Sequence, residues 1–289
     1  MSWRISILDK SPIAENETAA DALARTLALA QQAENLGYHR FWIAEHHNTP
    51  HLASPSPELL IAWILGQTTR IRVGSGGVML QHYSPYKVAE NFNVLAALAP
   101  GRVDLGVGKA PGGLPLSTRA LQQGLNQEEK GSFAEQLAQL DRWIRPEHPS
   151  TEDAVRATPL PPSPAQRFLL GASTDSALLA ARLDWDFVFA AHLNGDPDLL
   201  REVVSTWRKS SERDAIVAVQ AIVAPTQAEA EAQSLLAGTA ESVLGQLNAL
   251  HRQWGIDEFI IDTPVAEGAT RVASLRLLAE ARLNREVTV

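Results

Sequence analysis

The chain has 289 residues, 45% hydrophobic and 20% charged, an ordinary globular composition long enough to bury a large core. Twenty-five Lys and Arg against 33 Asp and Glu leave a net charge of −8, which disfavours nucleic acid and anionic membranes as partners but leaves room for a local basic spot holding one phosphate. With no cysteine, disulfides, thiolate catalysis and Cys-ligated zinc or iron–sulfur centres are excluded together, so redox chemistry would need a borrowed cofactor.

The N-terminal MSWRISILDKSP lacks the pattern of a secretory signal, and no apolar run approaches the roughly 18 residues that span a bilayer, so the expectation is a cytoplasmic protein. Residues 3–8 are β-prone and lead, past Asp9-Lys10-Ser11-Pro12, into an amphipathic stretch at 18–36 stopped by Gly37. The same strand-then-helix alternation recurs at 40–44 and 57–66, at 71–80 and 86–98, and at 102–107 and 133–144, the last pair separated by a Gly/Pro-rich loop. After a rigid surface connection containing Pro159 to Pro164, it continues at 168–170 and 174–182, and at 187–190 and 197–207. A strand at 215–223 precedes a helical stretch from 227 to about 250, broken near Gly238, and a strand at 258–261 precedes a helix at 269–284. Eight such units without a composition break predict a single (β/α)8 TIM barrel domain over residues 1–289 rather than an open doubly wound sheet.

In such a barrel the active site forms at the C-terminal strand ends, which here carry chemistry-bearing residues. Strand 2 ends in Glu45-His46-His47, a set that suits a general base near neutral pH, a metal site or polar packing. His47 and His51 have the i, i+4 spacing of zinc ligands, but Pro50 between them argues against a helix, and no metal is expected. Strand 3 contains Ser75-Gly76-Gly77, where glycines suit either a flat ligand against the backbone or a bulge at a barrel corner. Ser173 and Thr174 begin a helix and offer hydroxyls beside unpaired N–H groups, as a phosphate site or simply as a helix cap, and Lys109 in the GKAPGG loop can add positive charge.

Taken together, the strings SPIAENETAADAL, LGYHRFWIAEHHN, RIRVGSGGVML, VAENFNVLAALAPGRVDLGVGKAPG and LLGASTDSALLAA resemble the bacterial luciferase-like monooxygenases, specifically the short luciferase family oxidoreductase group 1. The resemblance implies a barrel that holds FMN at its C-terminal mouth, receives it reduced from a separate NAD(P)H-dependent flavin reductase, and uses it with O2 on a small substrate. It implies that Gly76 and Gly77, often joined by a non-proline cis peptide in the family, back the isoalloxazine ring, with Val78 and Met79 next to them also counted as cofactor-binding. His46 then matches the flavin-side histidine that assists proton transfer, with Glu45 orienting it, while His47 serves structure. Ser173, Thr174 and Ser176 match the phosphate-binding turn, with Gly171, Ala172 and His192 also counted as cofactor-binding; Lys109 stands where relatives usually carry arginine, and Tyr83, Tyr86, Met79, Leu114 and His192 are candidates for the pocket wall. A homodimer is implied through the helices after strands 2 and 3, and the segment ELLIAWILG at 58–66 is apolar nearly all round.

Two departures stand out. Lysine at 109 keeps the charge but loses the bidentate fork of arginine. The stretch from 223 to 238 is shorter than in typical members, which carry there an insertion that helps cover the site. A non-catalytic FMN-binding protein is therefore one alternative and an F420-dependent oxidoreductase another; the substrate itself is unnamed, with organosulfur compounds suggested by analogy.

Overall fold

The computed structural model describes residues 2–145, 155–193, 195–226 and 236–287. Its strands are β1 (Arg4–Asp9), β2 (Arg40–Ile43), β3 (Arg72–Ser75), β4 (Val78–Met79), β5 (Val103–Gly108), β6 (Gln166–Gly171), β7 (Asp186–Ala190), β8 (Ile216–Val223), β9 (Leu236–Gly238) and β10 (Glu258–Asp262). All pair in parallel, in the order β10-β1-β2-β3-β5-β6-β7-β8, and β8 pairs with β10 to close the ring. β3 and β4 are two halves of one stave interrupted at the cis Gly76–Gly77 bond, so the closed barrel has eight staves.

The helices are α1 (Ala19–Asn35), α2 (Pro57–Leu65), α3 (Pro85–Leu98), α4 (Pro115–Leu121), α5 (Phe133–Ile144), α6 (Thr174–Leu183), α7 (Pro197–Ser210), α8 (Ala240–Trp254) and α9 (Gly268–Val287). Their starts follow local chemistry: Thr18 with Asp21 and Ser132 with Glu135 form capping boxes, and proline opens α2, α3, α4 and α7, where its missing N–H costs nothing. α4 arises inside the segment expected to be loop, started by Pro115. The helical expectation over 227–250 is corrected at its centre. Leu236–Gly238 pairs with Ala221–Val223 of β8, placing Leu236 in the core and satisfying its backbone, and the helix begins only after Thr239 caps it; residues 227–235 lie outside the described residues.

The pleat sends alternate residues to opposite faces. Outward residues such as Ile5, Ile7, Phe41 and Ile43 join the shell packed under the helices, whereas Leu8, Trp42, Ala44, Phe168, Val188, Ala218 and Ile260 fill the lumen. Below them is a polar layer. Arg40 donates to Asp104 (2.8 Å) and Glu258 (2.9 Å), Ser6 donates to Glu258 (2.5 Å), Trp42 Nε1 donates to Asp104 (3.0 Å), and the guanidinium lies 4.7 Å over the Phe168 ring. The barrel is thus plugged at its N-terminal end and opens only at the other.

Candidate functional site

At the C-terminal end lies a cavity of about 400 Å3. Its floor is apolar, from Leu8, Ala44, Gly76, Gly77, Leu169 and Leu170, and its rim carries Lys10, His46, Lys109, Ser173, Ser176 and His192. Those proportions, an apolar body with a few placed polar groups, are typical of a small-molecule site.

Of the residues singled out from the sequence, Glu45, His46, Gly76, Gly77, Met79, Lys109, Gly171, Ala172, Ser173, Ser176 and His192 lie on this cavity's wall. Val78 does not: it is fully buried in the shell, because the residue after Gly77 turns to the helix side of the sheet. Thr174 is also off the wall, since the first turn of α6 carries it away from the cavity that Ser173 and Ser176 face. Of the candidates for the pocket wall, Tyr83, Tyr86 and Leu114 lie elsewhere.

The two glycines are dictated first by the protein itself. A Cβ on Gly77 would sit 2.9 Å from the Gly106 backbone, so no larger residue fits there whether or not a ligand is present, and one on Gly76 would sit 2.6 Å from Leu8 Cδ1 and require that buried side chain to shift. The same close packing brings in the loop after β5. Gly112, at a φ of +64°, packs so closely that an added Cβ would sit 3.0 Å from Met79 Cγ, and its carbonyl accepts a 2.7 Å hydrogen bond from His47 N, which holds Lys109 at the rim.

The role expected for Glu45 requires correction. Its carboxylate bonds His47 Nε2 (2.6 Å), the Tyr83 hydroxyl (2.6 Å) and Met79 N (3.0 Å), and makes no bond to His46. His46 follows Trp42 and Ala44 of the lumen in steps of two, while the carboxylate of Glu45, although Glu45 also borders the cavity, turns to His47, Tyr83 and Met79. Glu45 therefore ties the ends of β2 and β4 together, and His47 is its partner.

His46 faces the cavity alone. Its Nδ1 is buried without a hydrogen-bond partner among the described residues, as is Nδ1 of His192. Burial, followed by the nearby Lys10 charge, lowers the His46 pKa below the usual histidine value, so the expectation of titration near pH 7 gives way to a neutral ring. Burial lowers His192 to about 4 despite the opposing pull of Asp262. At neutral pH both rings are proton acceptors.

On the other side of the mouth, Ser173 caps α6: its Oγ accepts from Ser176 N (3.2 Å) and shares a hydrogen bond with Ser176 Oγ (3.0 Å). The capping reading of this residue is realised, and both hydroxyls remain on the cavity wall. The exposed Lys109 ammonium makes no ion pair among the described residues, while its backbone carbonyl accepts from Gln81 Nε2 (2.8 Å).

Lys10 was missed in the sequence. It follows the end of β1 in the inward register of Ser6 and Leu8, and its Nζ lies 2.7 Å from Asp262, which holds an inward position on β10 after Glu258 and Ile260. Counting in twos from Leu8 would have found it. Among the described residues no group of three or more His, Cys, Asp or Glu could hold a metal ion, and no helix is long and apolar enough to cross a membrane.

The sequence model of a family described as luciferase-like monooxygenase matches residues 3–281. The chain belongs to that family. It is 40% identical to the N-acetyl-S-alkylcysteine monooxygenase of Bacillus subtilis (strain 168) across 97% of this chain and 98% of that one. That alignment runs over 329 positions, more than this chain has residues, so the relative carries segments with no counterpart here. Among solved structures, apo-MsnO8 superposes with a TM-score of 0.86 at 31% identity, covering 96% of this chain and 97% of the other. The FMN complex of the oxygenating constituent of 3,6-diketocamphane monooxygenase from Pseudomonas putida shares the fold, with a TM-score of 0.75 at 18% identity and 97% of each chain covered. The luciferase-like barrel is thus established, and with it membership of a family of oxidoreductases.

Proposed function

We propose that this protein is a two-component flavin monooxygenase, which takes reduced FMN from a separate NAD(P)H-dependent flavin reductase and uses O2 to oxygenate a small organosulfur substrate. The observation that carries this is the division of the cavity rim. Lys109 and the N-terminus of α6, with Ser173 and Ser176, offer charge and donors to a phosphate, and the apolar floor beside Gly76 and Gly77 suits a flat ring. Two buried imidazole Nδ1 atoms without partners at the same mouth are donors or acceptors awaiting a ligand, so the residues present fit the cofactor.

Reduced flavin supplies the electrons that activate O2. The protein's own part is to hold the cofactor, to exclude water with its apolar floor, and to manage protons. His46, neutral and inward-facing, accepts a proton at the cavity, while Glu45, engaged by three donors, keeps the His47 strand end in place so that His46 stays aimed. A thioether-bearing substrate is supported by the name of the Bacillus subtilis relative. We place all of this on one barrel domain, residues 1–289, in the cytoplasm.

A homodimer accompanies this reading. Leu59 and Trp63 of α2 and Leu98 of α3 stand 73%, 46% and 72% exposed, an apolar face on adjacent helices that a second copy would cover. Light scattering at tens of micromolar checks it, and a monomeric mass would count against it.

The deciding experiment couples the protein to an NADH-dependent FMN reductase and measures O2 uptake and products against thioethers. Substrate-dependent oxygenated product is expected. Tight FMN binding with no product from any thioether would favour the non-catalytic alternative, which the missing segments motivate, and exchange of FMN for F420 would favour the other.

A further inference from the structure

The proposed flavin site has a second cation at the end away from the phosphate donors. Ser173 and Ser176 follow β6, and four of the eight steps around the barrel separate β6 from β1, so Lys10 stands across the mouth from them. Its side chain is 24% exposed and borders both this cavity and an adjacent chamber, whereas its partner Asp262 is 3% exposed and borders the adjacent chamber alone. Lys10 therefore stands at the boundary of the two, with its counter-charge on the side away from the cavity. Only one of its three N–H groups is needed for Asp262, which also accepts from Gln220 Nε2 (3.4 Å).

Of the remaining neighbours on this side, His46 and His192 are neutral at physiological pH, and the carboxylate of Glu45, which also borders the cavity, is engaged by His47, Tyr83 and Met79. A flavin ring occupying the cavity with its phosphate tail at Lys109 would meet Lys10 at its far edge. Two-electron reduction makes that ring acidic, and loss of its proton puts negative charge on the pyrimidine edge, where a nearby cation alters the cofactor's electronics.

The geometry points to Lys10 as the residue that makes this protein prefer reduced over oxidised flavin, by placing an ammonium beside the charge that reduction creates. It is a positioning and selectivity residue, and the assignment rests on the FMN reading above. Its role differs from that of Lys109: a phosphate carries the same charge in both redox states, so Lys109 cannot discriminate between them.

The test is equilibrium binding rather than turnover. Dissociation constants for oxidised FMN, and for photoreduced FMN without oxygen, are measured with the wild type, Lys10→Met, Lys10→Arg and Lys109→Met. Lys10→Met is expected to weaken reduced FMN by about tenfold while nearly sparing oxidised FMN, the order of effect of one charge at a partly solvated site. Lys10→Arg is expected to retain the preference, and Lys109→Met to weaken both forms alike. Because Lys10→Met strands a buried Asp262, the pair Lys10→Met/Asp262→Asn is measured beside it and is expected to lose the preference with normal thermal stability. An unchanged preference in both variants that carry Lys10→Met, or equal weakening of the two redox forms in them, overturns the role of Lys10. If the wild type binds neither form, the FMN reading itself fails and this role with it.

Discussion

The two ends of the barrel lumen handle polar side chains in opposite ways. At the N-terminal end the Arg40 guanidinium is nearly enclosed and bonded to Asp104 and Glu258, both fully buried, with Ser6 and Trp42 joining them. At the C-terminal end His46 and His192 keep a ring nitrogen without a partner, and Lys109 keeps an ammonium without an ion pair among the described residues. The same inward register supplies both layers. Groups that pair with one another close the barrel and hold it together, and groups left open at the mouth are available to a ligand.

The sharpest way to break this comparison is at His46. Replacing it with alanine is expected to leave folding and FMN binding nearly intact, while product formation falls by about a hundred- to ten-thousandfold and hydrogen peroxide is released instead. Product and peroxide yields, measured together, check it; normal coupling would remove His46 from the chemistry.

Arg40→Met probes the opposite end. It leaves Asp104 and Glu258 buried without their shared cation, and should destabilise the fold by about 3–5 kcal/mol in chemical denaturation. A change below about 1 kcal/mol would mean that water or Arg72, which already bonds Asp104, compensates.

A smaller effect is expected from Lys109→Ala, which should cost about 1.5–3 kcal/mol of FMN affinity through the loss of a charge-assisted contact, with melting temperature unchanged. Titration showing unaltered affinity would take Lys109 out of the site.

A separate effect concerns acid. His39 and His192 are lowered to about 4, both chiefly by burial, and His46 is lowered as well. Between the ordinary histidine value near 6.5 and about 4, the unfolded chain binds protons that the folded one refuses, so stability should be full above pH 6.5 and decline as pH falls towards 4. Thermal melts across this range should show the decline, and His39→Asn should flatten it; an identical slope in that variant would exclude His39 from the effect.

How much of this was legible beforehand depended on the range of the interaction. The alternation of strands and helices, the proline and hydroxyl helix starts, and the strand-end clustering of Glu45, His46, Gly76, Gly77, Lys109 and Ser173 are written in local periodicity and turn chemistry. What misled was also local: residues 236–238 carry Leu and Ala, good helix formers, yet pair with β8 because that edge was open to them. Adjacent Glu45 and His46 read as a couple, yet the Glu45 carboxylate bonds His47, Tyr83 and Met79 instead.

By itself, then, the sequence determined the succession of elements and the chemical types placed at the strand ends, because both follow from the backbone's short-range preferences and from a family pattern carried in contiguous strings. Only the tertiary structure decided which of those residues meet. Closure of the ring by the pairing of β10 with β1 brings Asp262 to within 2.7 Å of Lys10 across more than 250 residues of chain, and the packing of the GKAPGG loop against His47 and Met79 sets Lys109 at the rim. Such contacts depend on the stagger and pleat of staves far apart in sequence, which no local pattern encodes.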